Sequence, residues 1–284
     1  MNEGMQTQDD LAMDAAVLSD VGCRRTHNED SFGYDLQLQL FIVCDGIGGA
    51  QGGEVASLLA VQQLLETYAS LLPHPLDIEE RGGGESHCGE HRDKVASEQG
   101  APTLAPLATG PLTIEQRLLA SIVAANRRVW SEAQANDALR GMGTTLVAAC
   151  VDGDRIVVAN VGDSRAYFLR DGGCVQITQD HSVHAEQLRL GLGGIDHALG
   201  HCITRAVGVD ETVEPDLFTA ELKPGDMVLL ASDGLTRYAD AAALARLVRG
   251  GGEGDLASAC RRLVATATEA GGMDNVTCLL FRVR

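Results

Sequence analysis

The sequence of 284 residues is poor in basic and aromatic side chains. Lys and Arg number 22 against 40 Asp and Glu, a formal net charge of −18, and aromatic residues make up only 4%. Nucleic acids and anionic membrane surfaces are bound mainly through clustered Lys and Arg, so this balance argues against both as partners. It is compatible with a solubilising surface or with carboxylates gathered around hard cations.

Long apolar runs and paired cysteines are also missing. No stretch of about 18 apolar residues occurs, and the acidic segment 1–16 has neither the basic nor the apolar part of a secretory signal. None of the eight cysteines forms a CxxC pair, and Cys44, Cys150 and Cys278 lie inside apolar runs. We therefore expect buried, reduced cysteines and a cytoplasmic protein.

Hydrophobic periodicity predicts a β-rich chain with a few helices. A capping box at Thr113 and Gln116 starts one helix, and two others are predicted over 54–68 and 255–269. In the first of these, the spacing predicts a buried face that includes Leu58 and Gln62. Strands group with strands and helices with helices, which indicates an α+β fold of stacked layers. The predicted strands are 41–44, 145–151, 155–161, 166–169, 227–231 and 277–283.

Between the predicted helices, segment 73–111 has a different composition. It contains a triple glycine at 82–84, several prolines, and seven acidic against three basic residues. Such a segment favours a flexible insertion over a folded unit. It also contains a cluster of residue types that bind zinc, but no second ligand pair stands at a defined distance, so we expect no zinc site. The cluster is His87, Cys88, Glu90 and His91.

Four short acidic motifs share one pattern, an Asp next to Gly or Asn and, in two of them, directly after an apolar run. A carboxylate at a strand end projects from rigid support, and several of them with a backbone carbonyl make the all-oxygen site that Mg²⁺ or Mn²⁺ prefers. Each motif alone is more typical of a simple turn. Four in one chain favour a metal site. The motifs are Asn28-Glu29-Asp30, Asp45-Gly46, Ser232-Asp233-Gly234 and Asp274-Asn275.

Together with further motifs in the same order, these stretches make the sequence resemble the PPM family, the metal-dependent type 2C serine/threonine protein phosphatases, in its bacterial form. The resemblance runs from about residue 17 to 284 and leaves out the insertion. The additional matching segments are 19–25, 47–49, 53–54, 141–145, 160–167, 179–182, 203–208 and 276–277.

The resemblance implies a four-layer αββα sandwich, two mainly antiparallel β-sheets flanked by helix layers. It implies one catalytic domain over 1–284, with a core of about 17–284 and the insertion at 73–111. It also implies two Mn²⁺ or Mg²⁺ ions, with a water held between them that attacks phosphorus without a phospho-enzyme. On that mechanism neither Cys44 nor Ser232 is a nucleophile.

Carried over by position, the family's site residues fall on the acidic motifs. Asp45 would bridge both metals and the Gly46 carbonyl would bind one of them. Asp233 and Asp274 would ligate the first metal. Asp30 would hold the second through its water shell, supported by Glu29.

One basic residue completes the implied site. Arg25 stands where the family's phosphate-binding arginine falls, and a guanidinium suits phosphate because its planar fork binds two oxygens at once. The neighbouring Arg24 is its competitor for that role, although a solvated surface charge is its simpler interpretation. The segment 162–165 we interpret as a tight structural turn.

Two positions depart from the family pattern. Ala50 stands where bacterial relatives often carry a His that can protonate the leaving group, and His27 is the nearby alternative. Arg140 stands where some relatives carry an Asp that helps bind a third metal, so a third ion is not expected.

The resemblance further implies phosphoprotein substrates, a cognate Ser/Thr kinase, a signalling role and a monomer. Two alternatives remain at this point. One is a catalytically silent phosphoprotein-binding domain on the same fold, and the other is a small-molecule phosphatase using the same site.

Overall fold

The computed structural model describes residues 12–48, 52–72, 111–191, 202–250 and 255–284. These residues form eleven strands, six α-helices and one short 3-10 helix at Asp137–Leu139. The strands are β1 Met13–Asp20, β2 Asp30–Asp35, β3 Leu40–Ile47, β4 Gly143–Thr144, β5 Leu146–Asp152, β6 Arg155–Val161, β7 Arg165–Arg170, β8 Gly173–Gln176, β9 Asp216–Glu221, β10 Met227–Ala231 and β11 Val276–Val283. The helices are α1 Gly52–Ser70, α2 Ile114–Ala135, α3 Val183–Arg189, α4 Asp233–Thr236, α5 Ala241–Arg249 and α6 Leu256–Glu269.

The strands form two antiparallel sheets. One has the order β1-β11-β10-β7-β8, and the other has the order β2-β3-β5-β6-β9 with β4 paired to β3. The first and last strands of the chain pair along their whole length, from Met13 opposite Val283 to Asp20 opposite Val276. The α+β class is therefore confirmed, since neighbouring strands are antiparallel throughout.

Three separate apolar clusters show the four layers. Phe41 of one sheet stacks on Phe281 of the other with ring centroids 3.9 Å apart, at the centre of the cluster between the sheets. A second cluster, which includes Leu64 and Ile122, joins the β2-to-β9 sheet to α1 and α2. A third, which includes Leu263, joins the other sheet to α5 and α6. The αββα sandwich is thus confirmed.

Local sequence signals fixed several boundaries. At the start of α2, Thr113 Oγ1 accepts from the Gln116 N–H, and Gln116 Oε1 accepts from the Thr113 N–H, so the predicted capping box is confirmed. The predicted hairpin between β5 and β6 is confirmed as well. It turns at Gly153, whose φ of 59° suits a residue without Cβ.

The predicted buried face of α1 is wrong by about one residue. Leu58 is 47% exposed and Gln62 is also exposed, whereas Ala56, Ala60 and Leu64 are buried. Apolar residues surround most of this helix, so spacing alone could not select its face. Small side chains at 56 and 60 let the helix approach the sheet closely, and this packing decides the orientation.

Several expectations fall on parts of the chain outside the described residues. These are the insertion over 73–110, its His87–His91 cluster, and Ala50. Among the described residues, no helix is both long and apolar enough to cross a membrane.

Candidate metal centre and active site

Strand pairing brings two of the expected carboxylates together. Asp30 opens β2, Asp45 lies near the end of β3, and the two residues are direct partners across the pair. The backbone of Asp45 is held from its other side, since its N–H donates to Thr145 Oγ1 at 2.9 Å and its carbonyl accepts from the Thr145 N–H at 2.8 Å. The sheet therefore fixes both carboxylates on rigid backbone.

In the opposite sheet, Ser232 follows β10 and contacts Asp30. Its hydroxyl donates to Asp30 Oδ2 at 2.8 Å and accepts from the Thr277 N–H at 3.0 Å. Asp233 comes next and begins the short helix α4. This chain of hydrogen bonds links the two sheets at the carboxylate end of the sandwich, and it explains Ser232 as a support for Asp30 instead of a nucleophile.

Glycines let backbone segments meet at this end. A Cβ on Gly46 would lie 2.1 Å from the Gly53 carbonyl oxygen and 2.6 Å from that of Glu29. A Cβ on Gly234 would lie 1.9 Å from the Asn275 oxygen. No side chain fits either position, so the glycines next to Asp45 and Asp233 are required by close approach of the backbone.

A single amide side chain fixes the loop that carries Arg25. Asn275 Oδ1 accepts from the Glu29 N–H at 2.9 Å. Its Nδ2 donates to the carbonyls of Val21 at 3.0 Å and His27 at 2.9 Å. Segment 21–29 is therefore attached at both of its ends to the residue that follows Asp274.

Two arginines contact the remaining carboxylates. Arg25 lies 2.9 Å and 3.0 Å from the two oxygens of Asp274, and its side chain is 48% exposed. Arg237 donates through Nε to Asp233 Oδ2 at 3.0 Å and lies 3.9 Å from Asp274. In these side-chain positions, no three His, Cys, Asp or Glu side chains of the described residues are arranged to hold a metal ion. Cation binding would replace these arginine contacts.

The electrostatics of the carboxylates favour an added cation. Burial, with the nearby charges of Asp233 and Asp274, raises the pKa of Asp30 to about 7 in spite of hydrogen bonds from Thr277 and Ser232. Burial also raises the pKa of Asp45 well above its ordinary value, and the Asp30 charge adds to this. Negative charge is therefore concentrated here beyond what the described arginines neutralise.

Two buried carboxylate oxygens have no hydrogen-bond partner in the described structure, Asp30 Oδ1 and Asp233 Oδ1. Buried polar atoms are almost always hydrogen-bonded, so two that lack a partner indicate a place where a ligand binds. An all-oxygen donor set with a local excess of negative charge is the chemistry of a Mg²⁺ or Mn²⁺ site. The residues present therefore fit a site for Mg²⁺ or Mn²⁺.

Sequence reasoning missed the roles of three residues at this site. Arg237 and Asn275 act through contacts made only in the folded protein. Asp163 was interpreted as part of a turn, yet burial and the charges of Asp233 and Asp180 raise its pKa to about 7. The available signal was an Asp close to the end of an apolar strand and next to a glycine, although in Asp163 the glycine precedes the Asp and in Asp45 it follows.

The remaining sequence candidates lie at the margins of the site. Arg24 and His27 are exposed, and Arg140 pairs with Asp137 at 2.5 Å on the surface. Glu29 lies against the backbone of Gly53, and its burial raises its pKa. Cys44 is fully buried, and this burial raises its pKa, which leaves it an inert thiol.

Comparison with known proteins decides the family. The model of the family described as protein phosphatase 2C matches residues 24–275. The chain belongs to the protein phosphatase 2C family.

Individual relatives agree with this membership over nearly the whole chain. The serine/threonine phosphatase stp of Listeria innocua is 33% identical over 276 residues, 94% of this chain and 95% of that protein. The crystal structure of the Mycobacterium tuberculosis serine/threonine phosphatase PstP is 30% identical, with a TM-score of 0.74, over 96% of this chain and 99% of that one. The catalytic domain of PstP in complex with two manganese ions has a TM-score of 0.73 at 30% identity over the same shares.

Proposed function

We propose that this chain is a Mn²⁺- or Mg²⁺-dependent protein phosphatase that hydrolyses phosphoserine and phosphothreonine in proteins. The observation that carries the proposal is the pair Asp30 and Asp45, buried side by side across β2 and β3 with raised pKa values and an unpartnered oxygen on Asp30. Family membership supports this activity over a catalytically silent domain.

In this proposal the carboxylates hold two cations, and the similar catalytic domain of PstP is in complex with two manganese ions. Asp45 would contact both cations, the Gly46 carbonyl would bind one of them, and Asp233 and Asp274 would ligate the first. Asp30 would hold the second through water, and Glu29 would support that water shell. The unpartnered Oδ1 atoms of Asp30 and Asp233 are the atoms that gain most from such a cation.

When bound, the two cations supply a water activated at neutral pH and neutralise the charge of the phosphoryl group. Arg25 is placed to bind phosphate oxygens, because its half-exposed guanidinium already lies against Asp274 on a loop that Asn275 holds in place. Ser232 keeps Asp30 oriented. Asp163 adds to the negative charge near Asp233, whose charge helps burial to raise the pKa of Asp163 to about 7.

The test uses the whole protein and an aryl phosphate. We expect hydrolysis with Mn²⁺ or Mg²⁺, none in excess EDTA, and recovery when the metal is restored. Calorimetric titration of Mn²⁺ gives a readout independent of turnover and should show two bound ions for the native chain and weaker binding for Asp233→Asn. Full activity in excess chelator would contradict the two-metal site.

Location and partners form a finer part of the proposal. All seven cysteines within the described ranges are free, which supports a reducing compartment such as the cytoplasm. A monomeric enzyme opposing a Ser/Thr kinase in signalling is the role that resemblance to the family implies. Comparing the phosphoproteomes of cells carrying native protein and Asp233→Asn tests it: phosphorylation of a defined set of Ser and Thr sites should rise.

A further inference from the structure

A second feature lies beside the carboxylates, a groove between β8 and α5. Two neighbouring cavities form it, of about 560 Å³ and 410 Å³, and they share Ala241 and Arg246. β8 is the edge strand of its sheet, so one wall of the groove lies at a sheet edge. We call it the β8–α5 groove.

The groove begins at the proposed metal centre. Arg237 lines its larger cavity and at the same time contacts Asp233, one of the expected metal ligands. The smaller cavity continues past Gly172 and Gly173 to Arg249 near the end of α5. A polypeptide with its phosphorylated residue at the carboxylates would therefore have neighbouring residues in this groove.

The charge of the groove is opposite to that of the protein. Arg237, Arg246 and Arg249 line it, and the described side chains of Arg246 and Arg249 form no hydrogen bond or ion pair. Its one acidic lining residue, Asp240, is bound to the backbone N–H of Ala243 as a helix cap. The chain as a whole carries a net charge of −18, so this is a local basic surface on an acidic molecule.

The neighbouring cavity on the other side of Arg165 differs in this respect. It has a volume of about 540 Å³, and its charged residues balance one another. Arg165 donates to Asp180 through Nε and Nη2, and Arg205 pairs with Asp216 at 2.7 Å. Arg189 also lines that cavity without a hydrogen bond or ion pair, but three acidic residues there offset its three arginines. Of these described cavities, the β8–α5 groove is the one whose arginines outnumber its acidic residues.

We propose that the β8–α5 groove binds acidic residues that flank the phosphorylated Ser or Thr of the substrate protein, so that the enzyme prefers phosphosites in acidic sequence. This proposal rests on the proposed function, because it names a substrate class for that activity. Guanidinium groups bind carboxylates in planar pairs, and an arginine-lined groove on an acidic protein steers an acidic segment to one place.

The experiment compares two phosphothreonine peptides of equal length, one with Glu and one with Gln at the flanking positions. The measured quantity is the ratio of kcat/KM for the Glu peptide to that for the Gln peptide, with Mn²⁺. We expect the native protein to favour the Glu peptide. Each exposed charge contact should contribute about 2- to 5-fold, and the preference should shrink at high salt.

Two variants locate the preference. Arg246→Glu should bring the ratio close to one, and Arg246→Lys should retain much of it because the positive charge stays. Arg246 is exposed on α5, so the fold should tolerate both changes. Arg127→Glu, an equal charge change at an exposed position of α2, is the control and should keep both the ratio and the basal activity.

The outcomes separate the two proposals. A native ratio of one, or a ratio that Arg246→Glu leaves unchanged, would overturn the groove assignment while aryl phosphate hydrolysis still stands. A ratio that falls instead with Arg189→Glu would place the acidic segment in the balanced cavity and equally overturn it. Absence of Mn²⁺-dependent aryl phosphate hydrolysis would contradict the proposed function itself.

Discussion

Strand β10 has an aspartate directly before it and another shortly after it, and the protein treats the two in opposite ways. Before the strand, both oxygens of Asp226 are bound, by Arg170 Nε at 2.8 Å and Nη2 at 2.6 Å and by the Lys223 N–H at 2.6 Å. After the strand, Asp233 has one oxygen bonded to Arg237 and the other buried without a described partner.

This difference separates a structural carboxylate from one reserved for a ligand. A buried charge is tolerated when its partners come with the fold, as they do for Asp226. Asp233, Asp30 and Asp45 instead form a group whose mutual repulsion falls when protons or an external cation bind. Carboxylates without protein partners lower the stability of the fold at that end of the sandwich, as is common at functional sites.

The largest effect is expected at Asp233, which follows β10 and has one carboxylate oxygen without a partner. Asp233→Asn should reduce turnover about 10³-fold or more, because several kcal/mol of metal-derived stabilisation would be lost. The variant should fold as the native protein does. Steady-state kinetics with Mn²⁺ and circular dichroism check both statements, and near-native turnover would remove Asp233 from the ligand set.

The second prediction concerns pH. Asp30 and Asp45 have raised pKa values in the folded protein, so without metal the folded state binds protons that the unfolded chain has released. Stability should therefore fall, by a few kcal/mol, as pH rises from about 4 to about 7. Urea unfolding in EDTA measures it.

Saturating Mn²⁺ should remove most of this loss of stability with pH, because a bound cation favours the charged carboxylates. The Asp30→Asn variant in EDTA should also show a flatter profile than the native protein. An identical slope with and without Mn²⁺ would mean that these carboxylates do not hold the metal.

A substitution at the other end of β10 should lower the stability of the protein and leave its activity unchanged. Asp226→Asn leaves Arg170 without its charged partner, so we expect a loss of about 1–3 kcal/mol in the free energy of unfolding, less than for a fully buried pair because Arg170 is partly exposed. The specific activity of the folded protein should not change. Urea denaturation measures the first and kinetics the second, and a large loss of turnover would break the contrast with Asp233.

The smallest effect is expected at Arg25. Arg25→Ala should raise KM for a phosphopeptide about 10-fold with a smaller change in kcat, because we propose that this half-exposed arginine binds phosphate oxygens. Arg24→Ala is the matched neighbour and should change neither constant. An unchanged KM in Arg25→Ala would mean that another group, such as Arg237, binds the phosphate.

Much of this molecule could be predicted from local sequence signals. The αββα class, the Thr113 capping box and the Asp152-Gly153 hairpin follow from patterns that act over a few residues. The expected ligands Asp30, Asp45, Asp233 and Asp274 come from four separate parts of the chain, and the fold gathers them at one end.

Features that depend on distant partners could not be predicted in this way. The role of Asn275 depends on carbonyls about 250 residues away, and the contact of Arg237 with Asp233 depends on the position of a short helix. The buried face of α1 depends on how closely small residues approach the sheet. Periodicity describes a helix by itself and carries no information about its neighbour.

The pairing of β1 with β11 joins two distant parts of the sequence, and it bears on how the Arg25 loop becomes ordered. Asn275 and Asp274 stand directly before β11, and they hold the Arg25 loop, which lies about 250 residues earlier in the sequence. The loop therefore gains these partners only when β11 has taken its place beside β1. Closure of this sheet and ordering of the Arg25 loop are expected as one cooperative event.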